Sequence, residues 1–236
     1  MDQVALSYES LEKLRVVRPV ERLSYMADAC RGKVVLDIGC FDETALVKRG
    51  TPHWLHGRIL ANASRVVGID ISDKIPDEGI ASGDNGLILR RDAALLDLDG
   101  IAVDEIEVAV AGEFIEHIEN PLEFLRAVKR KLDGRELVLS TPNGVCFANT
   151  LMGMIGREVQ HPDHLLNFTY KTLNTACLRA GFRSWEIIPY RFYATEMIMA
   201  SSGSKKLFVQ FVQSCIRVVE RLFPLLSFGY VVRIRV

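Results

Sequence analysis

The sequence predicts an α/β fold with a mostly parallel sheet covered by helices on both faces. Three observations predict it. Short β-rich runs alternate with helical patterns along the chain. Several of those runs are apolar at nearly every position, as strands buried on both faces are. At 236 residues the chain has room for one sizeable core and little room for two.

The strands are expected at Val34–Ile38, Arg65–Ile71, Gly86–Arg90, Ile106–Ala111, Glu136–Ser140 and Ser184–Pro189, with a last one at Tyr230–Val236. The last run alternates, Arg233 and Arg235 against Val232, Ile234 and Val236, so one of its faces is polar. Helix signals fall between the runs. Asn120-Pro121 with Glu123 supplies a cap, a proline at the first helical position and an early carboxylate. That helix closes on Lys129-Arg130-Lys131 with Gly134 beyond, as the helix dipole favours. Another opens at Thr169, lines up Leu173, Ala176, Cys177 and Ala180, and stops at Gly181. Asp42-Glu43 reads as a further helix start.

Composition narrows the class. Apolar residues make up 49% and charged residues 25%, the balance of a soluble globular domain. A formal net charge of −1 gives the whole protein no pull on nucleic acid or anionic membrane. The five cysteines are scattered with no C-x-x-C pair, which argues against a disulfide framework or zinc site and for a reducing compartment. The charged N-terminus does not resemble a signal peptide, and no apolar run approaches the ~20 residues of a membrane span. A cytoplasmic location is expected.

The chemistry gathers at strand ends. Val34-Val-Leu-Asp-Ile-Gly-Cys40 is an apolar strand that runs into Asp-x-Gly, where a ligand can approach the backbone closely. Val66-Val-Gly-Ile-Asp-Ile71 places Asp70 where a carboxylate can accept from both hydroxyls of a ribose. A third strand ends at Arg91-Asp92-Ala93, within reach of an adenine amino group. A dinucleotide site would need G-x-G-x-x-G to hold phosphate. Only Gly39 is present, and Asp37 and Asp42 would repel phosphates, so the acids suit a cationic ligand.

These segments, with Gly112-Glu-Phe-Ile-Glu-His-Ile-Glu-Asn-Pro121 and Leu139-Ser-Thr-Pro-Asn143, resemble the ordered motifs of class I S-adenosylmethionine-dependent methyltransferases. The likeness covers roughly residues 30 to 190. It is strongest to the branch of ubiquinone-biosynthesis O-methyltransferases and sugar- and polysaccharide-tailoring enzymes. It implies a Rossmann-like three-layer sandwich with a seven-stranded sheet whose last strand is antiparallel. Residues 1–236 then form one methyltransferase domain, with an N-terminal helical segment over 1–30 and a C-terminal helix and final strand over 191–236.

The resemblance also implies roles. Asp37 and Gly39 would contact the methionine part of S-adenosylmethionine, Asp70 the ribose and Asp92 the adenine. Gly112 would line the pocket, and Cys40, Ile71 and Ala93 would sit beside these contacts. His117 is the expected general base, with Glu116 beside it, because a neutral imidazole suits removal of a hydroxyl proton. The Glu-x-x-Glu-His stretch, followed by His161-Pro-Asp-His164, also resembles the metal site of small-RNA 2′-O-methyltransferases. That likeness implies Mg or Mn on Glu113, Glu116, His117 and His164.

The expected acceptor is a small molecule, sugar-type or quinone-like, methylated on oxygen. Nucleic acid is not expected, since no basic patch with interleaved aromatics stands out. Two other readings stay open: a metal-dependent RNA 2′-O-methyltransferase, and a non-catalytic S-adenosylmethionine-binding scaffold. A helix over Lys206–Phe223 has a polar stripe of Lys206, Gln210, Gln213, Arg217 and Glu220 and is apolar elsewhere. It is expected to pack its apolar face on the sheet, with at most weak membrane contact.

Overall fold

Consecutive residues of a strand face opposite sides of a sheet, and the first strand, β1 (Val34–Ile38), shows what this achieves. Leu36 and Ile38 join a core cluster with Phe124, Leu125 and Val128, whereas Val35 joins one with Met26, Cys30 and Ile59. Each side of the sheet therefore carries its own helical layer. The protein, described by a computed structural model over residues 12–41, 45–158 and 160–236, is an eight-stranded sheet between helices.

The elements run α1 (Arg22–Ala29), β1, α2 (Ala45–Lys48), α3 (Leu55–Leu60), β2 (Arg65–Asp70), β3 (Ile80–Gly83), β4 (Gly86–Arg90) and β5 (Val108–Gly112). They continue with α4 (Pro121–Lys131), β6 (Glu136–Pro142), α5 (Phe147–Met154), α6 (Tyr170–Ala180), β7 (Ser184–Tyr190), α7 (Thr195–Met199), α8 (Gly203–Leu222) and β8 (Gly229–Arg235). The order across the sheet is β3-β4-β2-β1-β5-β6-β8-β7. β1 pairs in parallel with β2 and β5, so the crossover point lies at its carboxyl end, where such sheets bind ligands. β8 inserts antiparallel between β6 and β7, as expected.

The sheet has one strand more than the seven expected. β3 pairs antiparallel with β4 at the edge, and its register breaks between Ala81 and Gly83. It is half exposed and too short to carry an apolar pattern, although the turn residues Asp84-Asn85 mark a hairpin. β5 starts at Val108 rather than Ile106, because a short 3₁₀ turn over Val103–Glu105 precedes it. Of the helical segment expected over residues 1–30, the described residues contain α1, capped by the Glu21 carboxylate on the amides of Leu23 and Ser24, and residues 1–11 lie outside the described residues. The Asp42-Glu43 start lies outside the described residues.

The other helix signals hold. The Asn120 side chain accepts from the Glu123 amide at the start of α4. Thr169 and Thr172 form a reciprocal cap on α6, which ends at Gly181 with φ +85°, a left-handed conformation suited to glycine. Among the described residues, no helix is long and apolar enough to cross a membrane.

Candidate functional site

The site is built on the carboxyl ends of β1, β2 and β5. Gly39 turns the chain out of β1 with φ +68°, its amide donating to Ile69 O at 2.8 Å. A Cβ at this position would lie 2.4 Å from Phe114 Cδ2, so only glycine fits beneath that ring. The turn delivers the Phe41 amide to Asp70 Oδ2 at 3.0 Å, and the Ser72 amide reaches Asp70 Oδ1 at 2.9 Å. Asp70 is thus fixed by one amide on each oxygen, which leaves each oxygen able to accept another hydrogen bond. Burial, reinforced by Asp37, raises its pKa above the ordinary value despite those amides. Beside it, Ile71 is 66% exposed, an apolar surface at the rim.

Of the remaining residues expected at the cofactor, Asp37 and Cys40 are buried in packing contacts behind β1. Asp37 shares the face of Val35, and its carboxylate is buried against His56, Oδ2 to Nδ1 at 2.8 Å. His56 Nε2 lies 2.9 Å from Ser82 Oγ, so this buried link ties β1 to the edge strand β3. Cys40 is buried, with Sγ in the notch that Gly68 leaves open. A Cβ on Gly112 would meet Leu55 Cδ2 at 2.4 Å, so that notch receives α3. Asp92 is half-buried and uses Oδ1 to accept from the Leu95 amide at 2.9 Å, while Ala93 is buried.

After β5 the chain turns sharply. Glu113 has φ +52°, a strained value for a residue with a side chain, and its amide donates to Ser140 O and Oγ. The carboxylate accepts from Tyr190 Oη at 2.7 Å and from Tyr193 Oη at 2.6 and 2.7 Å. Arg22 Nη2 lies 3.5 Å away. Burial would raise this carboxyl, but Arg22 and the two tyrosine hydroxyls outweigh it and hold the pKa below the ordinary value. Arg22, Tyr190 and Tyr193 carried no local sequence signal. They lie 77 to 91 positions from Glu113 along the chain, with only the ends of α1 and β7 bringing them together.

Glu116, His117 and His164 do converge, their ligand atoms all within 4.8 Å of one another. Glu113 does not join them, so one of the four expected metal ligands is corrected: its positive φ and its Arg22 and tyrosine partners turn it towards α1 and β7. Glu116 is 1% exposed and neither carboxylate oxygen has a hydrogen-bond partner. Burial, with the charge of Glu113 next, pushes its pKa up to about 8. The rings of His117 and His164 are 4.6 Å apart and edge-on, with His161 adjoining at 6.1 and 5.6 Å. Burial and then His161 lower the pKa of His117, which favours its neutral imidazole. His164 Nδ1 lies 3.2 Å from Gln160 Oε1. Gln160 also lines a half-open hollow of about 280 Å³ with Gly144, Asn149, Gly153, Arg157, Glu158 and Asn167.

The model of a family described as methyltransferase domain matches residues 8–187. A structure titled as a SAM-dependent methyltransferase from Archaeoglobus fulgidus superposes with TM-score 0.53 at 17% identity, over 91% of this chain and 90% of that one. One from Mesorhizobium loti, titled as S-adenosylmethionine-dependent, gives 0.52 at 19% identity over 91% and 95%. The small RNA methyltransferase HEN1 gives 0.59 at 17% identity over 96% of this chain but only 27% of its own. These likenesses show the fold. No curated protein sequence matches.

Proposed function

The chain belongs to the methyltransferase domain family and is an S-adenosylmethionine-dependent methyltransferase, and we propose that it methylates a hydroxyl oxygen of a sugar-type small molecule. One observation carries the cofactor assignment: Asp70 stands fixed at the end of β2, beside the Gly39 turn, with an acceptor position open on each oxygen. That arrangement fits a ribose diol, and the exposed Ile71 beside it fits a planar base. The bound cofactor supplies an electrophilic methyl on a sulfonium. The protein's work is to hold the acceptor in line and take its proton.

His117 suits the proton step because its imidazole is accessible, is shifted towards its neutral form by burial, and is linked to the hollow through His164 and Gln160. The cavity lining of Asn149, Arg157, Gln160 and Asn167 supports a polyhydroxylated acceptor over a quinone-like one. A net charge of −1 supports a small acceptor over RNA. Calorimetry tests the foundation: Asp70→Ala should weaken S-adenosylmethionine binding by about 1.5–3 kcal/mol, the scale of a hydrogen bond to a charged group. Equal affinities would remove Asp70 from the ribose site.

A second reading concerns a divalent ion such as Mg or Mn. It is favoured by the orphaned, buried carboxyl of Glu116 next to two imidazoles. Glu116, His117 and His164 would hold it, and it would polarise the acceptor hydroxyl. Activity abolished by EDTA and restored by Mn²⁺ is expected on this reading, and activity indifferent to chelation leaves His117 as the base alone.

A further inference from the structure

Helix α8 is built with its polar and apolar faces exchanged. The later part of its polar stripe, Gln213, Arg217 and Glu220, points inward, while Lys206 and Gln210 stay exposed. Gln213 Oε1 accepts from the Ala194 amide at 2.8 Å, and Arg217 Nε donates to Phe192 O at 2.9 Å. Glu220, 1% exposed, accepts from the amides of Phe192 and Phe228 at 2.8 to 3.0 Å. These polar groups, with Val209 and Ile216 buried beside them, anchor the helix to the segments that follow β7 and precede β8. The opposite face is turned to solvent: Leu207 is 69% exposed, Phe208 and Phe211 66%, Val218 59% and Leu222 68%. At 100° per residue these side chains form one continuous stripe along a helix about 30 Å long. The exposed Met197 and Met199 of α7, which packs on α8, extend the apolar surface.

Charge selects the occupant. The exposed charges of α8 are Lys205 and Lys206 near its start and Arg221 near its end, all positive. Its only acid, Glu220, is buried and engaged with backbone amides. A second copy laid along this face, in either direction, would set cations against cations. The stripe is bordered by Lys205 on one side and Arg221 on the other, with Lys206 on the far side of the helix, the form of a helix that lies in a bilayer interface with its flanking charges at anionic headgroups. We propose that α8 docks the enzyme peripherally onto an anionic lipid surface, stripe inward and cations at the headgroups.

Sedimentation of the full chain with vesicles of phosphatidylcholine, with and without phosphatidylglycerol, tests this at low and high salt. The wild type should bind only the anionic vesicles and release them as salt rises. A Lys205→Gln/Arg221→Gln variant should bind roughly 25-fold more weakly, at about fivefold per cation. A Phe208→Ser/Phe211→Ser variant should lose binding while its S-adenosylmethionine affinity and melting temperature stay at wild-type values, because the inner face is untouched. A Leu207→Trp variant should show a blue shift in fluorescence with anionic vesicles alone. Absence of wild-type binding overturns the proposal, as does binding indifferent to headgroup charge or binding retained in the serine variant. A wild-type dimer dissolved by the serine substitutions also overturns it, since the face would then be a contact between copies.

Discussion

Glu116→Gln probes the site where folding and chemistry conflict. The Glu116 carboxyl is 1% exposed and has no hydrogen-bond partner, and burial, with Glu113 next, pushes its pKa from 4.5 to about 8. The folded protein therefore keeps a proton that the unfolded chain releases above pH 4.5. Stability from this group is fully present below pH 4.5 and is lost as pH rises towards 8. By pH 7 the loss spans about two and a half pH units at ~1.4 kcal/mol each, roughly 3 kcal/mol. Glutamine keeps the shape of the neutral acid and cannot ionise. Urea unfolding of both proteins in EDTA, at about pH 5 and about pH 7, isolates the effect. The wild type should lose about 2 to 3 kcal/mol more than the variant across that interval. Parallel losses would refute the argument. Mn²⁺ in place of EDTA should flatten the wild-type curve alone if Glu116, His117 and His164 hold a cation, since the carboxylate then has a partner.

Two further perturbations follow from the same geometry. Gly39→Ala sets a Cβ 2.4 Å from the Phe114 ring at φ +68°. It should destabilise the protein by about 2 kcal/mol or more and weaken S-adenosylmethionine binding, read by chemical denaturation and calorimetry. Tyr193→Phe removes the hydroxyl that both Glu113 oxygens accept from. It should cost about 1.5–3 kcal/mol of stability and raise the Glu113 pKa, and an unchanged unfolding midpoint would count against the network.

What was legible was local. Asp-x-Gly after an apolar run and an aspartate closing the next run locate Gly39 and Asp70, because both depend on strand ends that periodicity reveals. The motif assigns Asp37 to the cofactor, although parity carries its placement: it lies two residues from Val35 and so points into the same helical layer, onto His56. The Glu113 network was not legible. It joins α1, the β5 turn and the end of β7, and a single-sequence pattern has no term for residues brought together only by the order of strands. The separation of Glu113 from Glu116, His117 and His164 was hidden for the same reason, since the chain turns there through a left-handed residue that the motif does not reveal.

Helix α8 shows a different limit. Periodicity identifies two faces of a helix, and the usual inference assigns the apolar one to the core because burial of apolar surface is favourable. That inference assumes that the neighbouring surface is apolar. Here the neighbouring segments offer unpaired backbone amides of Ala194, Phe192 and Phe228, and these demand acceptors once covered. Gln213 and Glu220 supply them, so this part of the polar stripe is drawn inward and the phenylalanines are left outside. An amphipathic pattern thus fixes the axis of a helix's orientation but not its sign. The sign is set by the hydrogen-bond needs of the backbone beneath it.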